Sequence, residues 1–307
     1  MTETTEATGA MDGERPPEER EFTVVERTQA QLVLRRFLRH RAAMISLVIF
    51  VLIVLWAFIG PHLWHYSYQK YTPDNSQPPS AKHPFGTNSA GYDSYAQVMR
   101  GTQTSLKVAI LIALGSTFVG AVWGAVAGFY RGVVDAVMMR ISDLVLTLPL
   151  LAIALVISSR TGGSWYWIAL VIAGLTWAYV SRVVRSTVLS LREKEFVEAA
   201  RALGASDARI IFRHLLPNSL GPIFVNATIL VATGILTETA LSFLGFGVQP
   251  PDTSLGLLVS QAQTAVDTRP WLFYIPGAFI IAIALTINFI GDGLRDAFDP
   301  RQQRVRQ

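Results

Sequence analysis

Long apolar runs decide what this chain can fold into. A helix needs about 20 apolar residues to cross a hydrocarbon core. Six stretches come near that length: 43–61, 107–130, 137–158, 165–184, 220–243 and 272–294. A bilayer interior offers backbone groups no water, so such runs close their own hydrogen bonds as helices. Charged residues make up 16% of the chain, whereas an ordinary soluble domain carries about 25%. Helices of a soluble bundle would each need a polar face, and these runs lack one. The expectation is an all-α integral membrane protein with six transmembrane helices. The third run contains Asp143 and Pro149, and the fourth is short.

Arginine placement orients the spans. Arg27, Arg35, Arg36, Arg39 and Arg41 precede the first, while Arg182, Arg185, Arg192, Lys194, Arg201, Arg209 and Arg213 lie between the fourth and fifth. Arg295, Arg301, Arg304 and Arg306 follow the sixth, whereas the loop near 160–164 has only Arg160 and residues 245–271 only Arg269. Basic residues are retained in the cytoplasm, so both termini and the 185–218 loop are expected there. The net charge of +4 is therefore an orientation signal, and no nucleic-acid partner is expected. Residues 1–30 hold eight acids and few apolar residues, which reads as a disordered cytoplasmic tail. The rest divides into a first helix with an outer segment (31–106), a core (107–296) and a short cytoplasmic tail (297–307).

Small and polar residues within the spans suggest packing. Ser116, Gly120, Gly124 and Gly128 recur every four residues, forming a flat face for a neighbouring helix. Asp143 lies one turn after Arg140, which predicts an ion pair between them. Glu238 sits in an apolar run and either lines a pathway or braces the outer end of the fifth helix. Asn226 and Asn288 are further pathway candidates, although buried asparagines more often bond between helices.

The loop over 192–218 carries more design than a linker needs. Residues 192–204 read as a short amphipathic helix with Phe196, Ala200 and Leu203 on one face. Gly204 is placed to end it in a left-handed conformation. Ser206 can cap a second helix, with Asp207 in its first turn and Ile210, Ile211 and Leu215 on its apolar side. Pro217 is expected to stop that helix. The product is a helix–glycine–helix bracket between two spans.

Glu198-Ala199-Ala200, then Gly204, then Leu216-Pro217 resembles the EAA loop of ABC importer permeases, with His214 where isoleucine is usual. Arg35-Arg36-Phe37-Leu38-Arg39 and His83-Pro84-Phe85-Gly86-Thr87-Asn88 with Gly91-Tyr92-Asp93 are similar to segments of the peptide-uptake branch. In the second segment Asn88 and Tyr92 replace the usual aspartate and arginine. Met139–Asp143, Leu241–Gly245 and Gly291–Asp296 match as well. The resemblance is to the C-type permease subunit of dipeptide and oligopeptide importers. It implies the type I ABC importer permease fold in the cytoplasmic membrane of a prokaryote, with Glu198, Ala199, Ala200, Gly204, Leu216 and Pro217 docking onto an ATPase. It further implies a second homologous permease, two ABC ATPase subunits that hold ATP and Mg, and an extracytoplasmic peptide-binding protein. No cofactor is expected on this chain.

Several chemistries are excluded. No glycine is followed directly by lysine, so a Walker A phosphate cradle is absent. There is no cysteine and no HExxH pattern, and His62 with His65 make only a two-ligand pair. A membrane enzyme would need a cluster of acid, base or metal residues. Import of nickel or a nickel chelate remains the nearest alternative within the family, and an ion-driven secondary transporter is the alternative of another class. The latter predicts inverted repeats, which this sequence does not display. Prolines at 73, 78 and 79 break any long helix in the outer segment, and its tyrosines suit a membrane interface. The loop over 245–271, with Pro250, Pro251 and Trp271, is a candidate outer lid or docking surface for a binding protein.

Overall fold

The structure, a computed structural model, describes residues 29–298. The tail expected over 1–30 lies almost wholly outside the described residues, as do Arg27, Arg301, Arg304 and Arg306. Twelve α-helices follow one another: α1 (Gln29–Arg39), α2 (Arg41–Leu63), α3 (Ser94–Tyr130), α4 (Gly132–Thr147), α5 (Leu150–Thr161), α6 (Trp165–Leu191), α7 (Glu195–Ala202), α8 (Asp207–Arg209), α9 (Leu216–Asn218), α10 (Leu220–Phe243), α11 (Leu255–Ala262) and α12 (Trp271–Phe298). A π-helical stretch, Ile210–Leu215, joins α8 to α9.

Among the described residues, α2, α3, α6, α10 and α12 are each long and apolar enough to cross a membrane. The third expected span is instead α4 plus α5, bent by 77° at their junction. Pro149 explains the break, since its ring removes a donor and restrains Leu148. Leu148 is accordingly extended, with φ −72° and ψ 131°. A sixth crossing exists if this bent pair is one span.

The second span starts earlier than its apolar run. α3 begins at Ser94, so the division placed at 106 falls inside a continuous helix. Asp93 caps it by accepting from the Ala96 N–H at 2.8 Å. Ser94, Gln97, Arg100 and Gln103 hid these first turns from a hydropathy reading because their polar groups bond elsewhere in the chain: Ser94 N–H to the Gly86 carbonyl, Gln97 to the Tyr68 carbonyl, Arg100 to Asp252 and Gln103 to the Ala57 carbonyl of α2.

α3 is the central helix. Its glycine face meets α6 so closely that a Cβ on Gly120 would stand 2.6 Å from the Trp177 carbonyl oxygen, and one on Gly124 2.3 Å from that of Ser181. A Cβ on Gly128 would be 2.9 Å from the Arg185 oxygen. One turn earlier, Ser116 Oγ lies 2.6 Å from Thr176 Oγ1. The partner of this small-residue face is thus α6 of the same chain. α2 is the least buried of the five long apolar helices, with Ile45, Val48, Leu52 and Ile59 all exposed. It is anchored by Trp56, which stacks on Phe279 at 4.7 Å and donates to the Tyr95 hydroxyl at 2.6 Å.

Asp143 pairs with Arg182 of α6 at 2.5 Å, in place of the expected Arg140. Helical spacing made Arg140 a neighbour, but α4 packs along α6 and presents Asp143 to it. Asp135 and Ser142 also face α6, through Arg185 and Ser181.

Candidate functional site

The bracket between α6 and α10 is built from local signals. α6 runs on to Leu191, so the helix expected from 192 starts at Glu195. α7 ends in a Schellman motif: the Gly204 N–H donates to the Arg201 oxygen at 2.9 Å and the Ala205 N–H to the Ala200 oxygen at 3.0 Å. Gly204 has φ +77°, a conformation that costs residues with a Cβ about 1–2 kcal/mol. Ser206 Oγ then accepts from the Arg209 N–H at 3.4 Å, opening the second arm.

The inward face differs from the expected one. Val197 and Ala200 are buried, whereas Phe196 is 38% and Leu203 89% exposed. Ile210, Ile211 and Leu215 of the second arm are buried as expected, and join Phe129, Val188 and Ile223 in one core cluster. The bracket therefore rests on the ends of α3, α6 and α10. Arg192 adds a hydrogen bond to the Phe129 carbonyl, and Arg201 lies 5.4 Å from the Phe129 ring centroid.

Pro217 does not end the second arm. The chain stays helical from Asp207 to Asn218, widened to π over Ile210–Leu215. The Leu216 N–H donates to the Ile211 oxygen, five residues back. Such widening eases the clash between a proline ring and the carbonyl four residues before it. Leu216 is half-buried and Pro217 exposed.

The outward face of the bracket holds Glu195, Phe196, Glu198, Ala199, Leu203, Phe212 and Arg213. Three large apolar side chains are exposed beside charges, and the Glu198 carboxylate has no partner among the described residues. Scattered exposed apolar residues are ordinary; three on one small rigid motif form a surface that a partner can cover.

The opposite end is held by buried polar groups. His83 Nδ1 lies 2.7 Å from Asp93 Oδ2, and its Nε2 3.3 Å from Asp74 Oδ2. Trp64 donates to Asp93 Oδ1 at 3.1 Å, and Tyr66 stacks on the His83 ring at 4.7 Å. His62 is exposed, and the His65 ring packs against Trp64 and Tyr66. Arg100 reaches Asp252 through Nε at 2.9 Å and Nη2 at 3.1 Å, joining α3 to the loop before α11.

Of the pathway candidates, Glu238 is fully buried. Ser105 and Ser242 donate to its carboxyl oxygens at 3.1 and 2.7 Å, and Ser105 Oγ accepts from the Leu255 N–H at 3.2 Å. This braces α3, α10 and α11 together and leaves Glu238 facing no open space in this conformation. Asn226 is also buried and donates to the Pro222 oxygen of its own helix at 2.8 Å, while Asn288 is exposed. Sequence reasoning missed both the Asp252 and the Asp74 contacts: Asp252 meets Arg100 from 152 positions away, and Asp74 meets Lys82 and His83 within one irregular segment that has no helical or strand periodicity to pair them.

Comparison with known proteins fits this geometry. Residues 120–304 match the family described as the binding-protein-dependent transport system inner membrane component. Residues 28–79 match the N-terminal TM domain of oligopeptide transport permease C. The oligopeptide transport system permease protein OppC of Mycobacterium tuberculosis is 41% identical over 90% of this chain and 96% of its own. The dipeptide transport system permease protein DppC of Alkalihalophilus pseudofirmus is 37% identical over 94% of each. Among solved structures, an inward-facing MetNI methionine ABC transporter chain aligns with TM-score 0.51 and 18% identity, covering 66% of this chain and 97% of that one. The apolar crossings and these matches agree: the chain is a multi-pass inner-membrane permease belonging to the binding-protein-dependent ABC transport family.

Proposed function

We propose that this chain is one transmembrane half of an ATP-driven importer that moves dipeptides and oligopeptides into the cell. The observation that carries the reading is the bracket, with exposed Phe196, Leu203 and Phe212 around an unpartnered Glu198 and a buried side seated on α3, α6 and α10. A rigid bracket so placed transmits closure of two partner ATPases to the crossings, as rigid-body motion of packed helices. ATP and Mg bind on those partners. A second homologous permease completes the pathway, and Asn288 is proposed to face it. An external binding protein delivers peptide to the end formed by residues 64–93 and 244–271. The peptide assignment follows the names of the relatives, which speak of oligopeptides and dipeptides.

Uptake of labelled di- and tripeptides, measured in cells lacking the chain and after its restoration, tests the reading. Peptide uptake should fall at least tenfold without the chain; nickel uptake that depends on it in place of peptide would overturn the substrate. Orientation is tested with single cysteines in this cysteine-free chain. Asn75→Cys and Asp267→Cys should react with an impermeant thiol reagent from outside and Leu203→Cys should not. All three positions are exposed in the fold.

A further inference from the structure

A cavity of about 780 Å³ opens between the outer segment and the α11 region. That volume lies within the range of about 300–1,000 Å³ typical of small-molecule sites. Its walls include Tyr68, Tyr92, Thr253, Gln261, Arg269 and Trp271.

Three polar groups in this lining are unusual. Thr253 is 5% exposed, yet its Oγ1 has no hydrogen-bond partner. The Trp271 indole Nε1 is likewise buried and unpartnered. Buried polar groups left without a partner cost about 1–3 kcal/mol each, so such donors mark a place where something else supplies acceptors. Arg269 is half-buried, and its described contact is Ser76 Oγ at 2.7 Å, a neutral group. The one carboxylate in the lining, Asp252, is neutralised by Arg100. The cavity thus offers a net positive charge and aromatic walls, with two spare donors closed off just behind its surface, Trp271 Nε1 against Gly86.

Resting on the importer reading above, we propose that this cavity is a peptide site on the permease itself, taking the carboxylate end of a short peptide before it enters the membrane. Arg269 receives the terminal carboxylate. A small turn of the Thr253 and Trp271 side chains lets the hydroxyl and the indole N–H donate to backbone carbonyls, and Tyr68 and Tyr92 face apolar side chains. Contacts to termini and backbone suit a carrier whose cargo varies in sequence. The site is a hand-over station on the path from the external binding protein.

The test uses the whole importer in lipid nanodiscs, without nucleotide, with a photo-crosslinking residue replacing the exposed Gln261. Radiolabelled tri-alanine should label this chain, and unlabelled tri-alanine should compete at least tenfold better than its C-terminal amide. Arg269→Gln should lower labelling at least fivefold and abolish the difference between acid and amide. Ser76→Ala removes the same hydrogen bond while keeping the cation, and should leave labelling unchanged. Thr253→Val should weaken competition a few-fold. Crosslinks to the binding protein, the second permease or a lipid in place of the peptide would overturn the assignment, as would equal competition by acid and amide. If peptide uptake in cells depends on the chain while no peptide labels the cavity, this inference fails and the importer reading stands. If uptake does not depend on the chain, both fall.

Discussion

The two ends of this molecule are held together by different physics. At the end away from the bracket, His83, Asp93, Asp74, Trp64, Arg100 and Asp252 form polar contacts between residues 9 to 152 positions apart, with Asp93 fully buried. The bracket at the other end has no buried polar network among its described residues. Its form comes from a Schellman turn, a serine cap and five buried apolar side chains. Buried polar networks fix one arrangement at high cost if any member is lost. Local motifs with a small apolar footing lose less stability from any single change.

The largest effect is expected at Asp93. Replacing it with alanine strands the Trp64 N–H, the Ala96 N–H and the His83 ring, all now within 3.1 Å of its oxygens. The cost should be about 3–5 kcal/mol, read as a lower midpoint of thermal unfolding in detergent by tryptophan fluorescence. Asp93→Asn keeps an acceptor for the cap and should fall between. If Asp93→Ala is no more harmful than a change in the bracket, the contrast between the ends is wrong.

Gly204→Val comes next and should separate stability from transport. A Cβ at Gly204 would meet nothing within 4 Å, so only the φ of +77° is penalised. The expected loss is about 1–2 kcal/mol. Transport and retention of the ATPase on the purified complex should nevertheless drop several-fold, because the two arms change their relative angle. Unchanged transport with an intact ATPase association would make the bracket a mere linker.

This contrast also explains what the sequence disclosed. Gly204, Ser206 and the apolar set Ile210, Ile211 and Leu215 act within a few residues of one another, so their pattern is visible in one dimension. The stripe of Gly120, Gly124 and Gly128 was visible for the same reason, though not that α6 fills it. Phe196 and Leu203 misled because spacing identifies a face without saying whether protein or solvent covers it; Val197 and Ala200 took the inner side. Pro217 misled because π-widening is a backbone response that no residue type announces. The cavity beside α11 was invisible: Thr253, Arg269 and Trp271 come together only through the docking of the α11 region and the start of α12 on residues 68–98. Asp143 illustrates the same limit, since its partner Arg182 lies on another helix.

The smallest predicted effect lies at the rim of the outer network and tests whether its exposed members matter. Hydrogen bonds from Lys82 and then His83 hold the Asp74 carboxyl below its ordinary 3.8. The same contact raises Lys82 above 10.5. A carboxylate with a depressed folded pKa stabilises above its unfolded pKa and loses that contribution as pH falls through the folded value. A lysine with a raised pKa stabilises below its unfolded value and loses that as pH rises through the folded one. The pair therefore contributes a plateau across neutral pH that erodes at both extremes. Asp74→Asn should lower the unfolding midpoint slightly and evenly across the plateau, and the gap to the parent should close as pH drops below 3.8. Both side chains are partly solvated, so the gap should also shrink in 0.5 M salt, unlike the loss from Asp93→Ala. A gap that persists in salt and acid would mean that Asp74 belongs to the buried network through His83, and that the network extends to the surface.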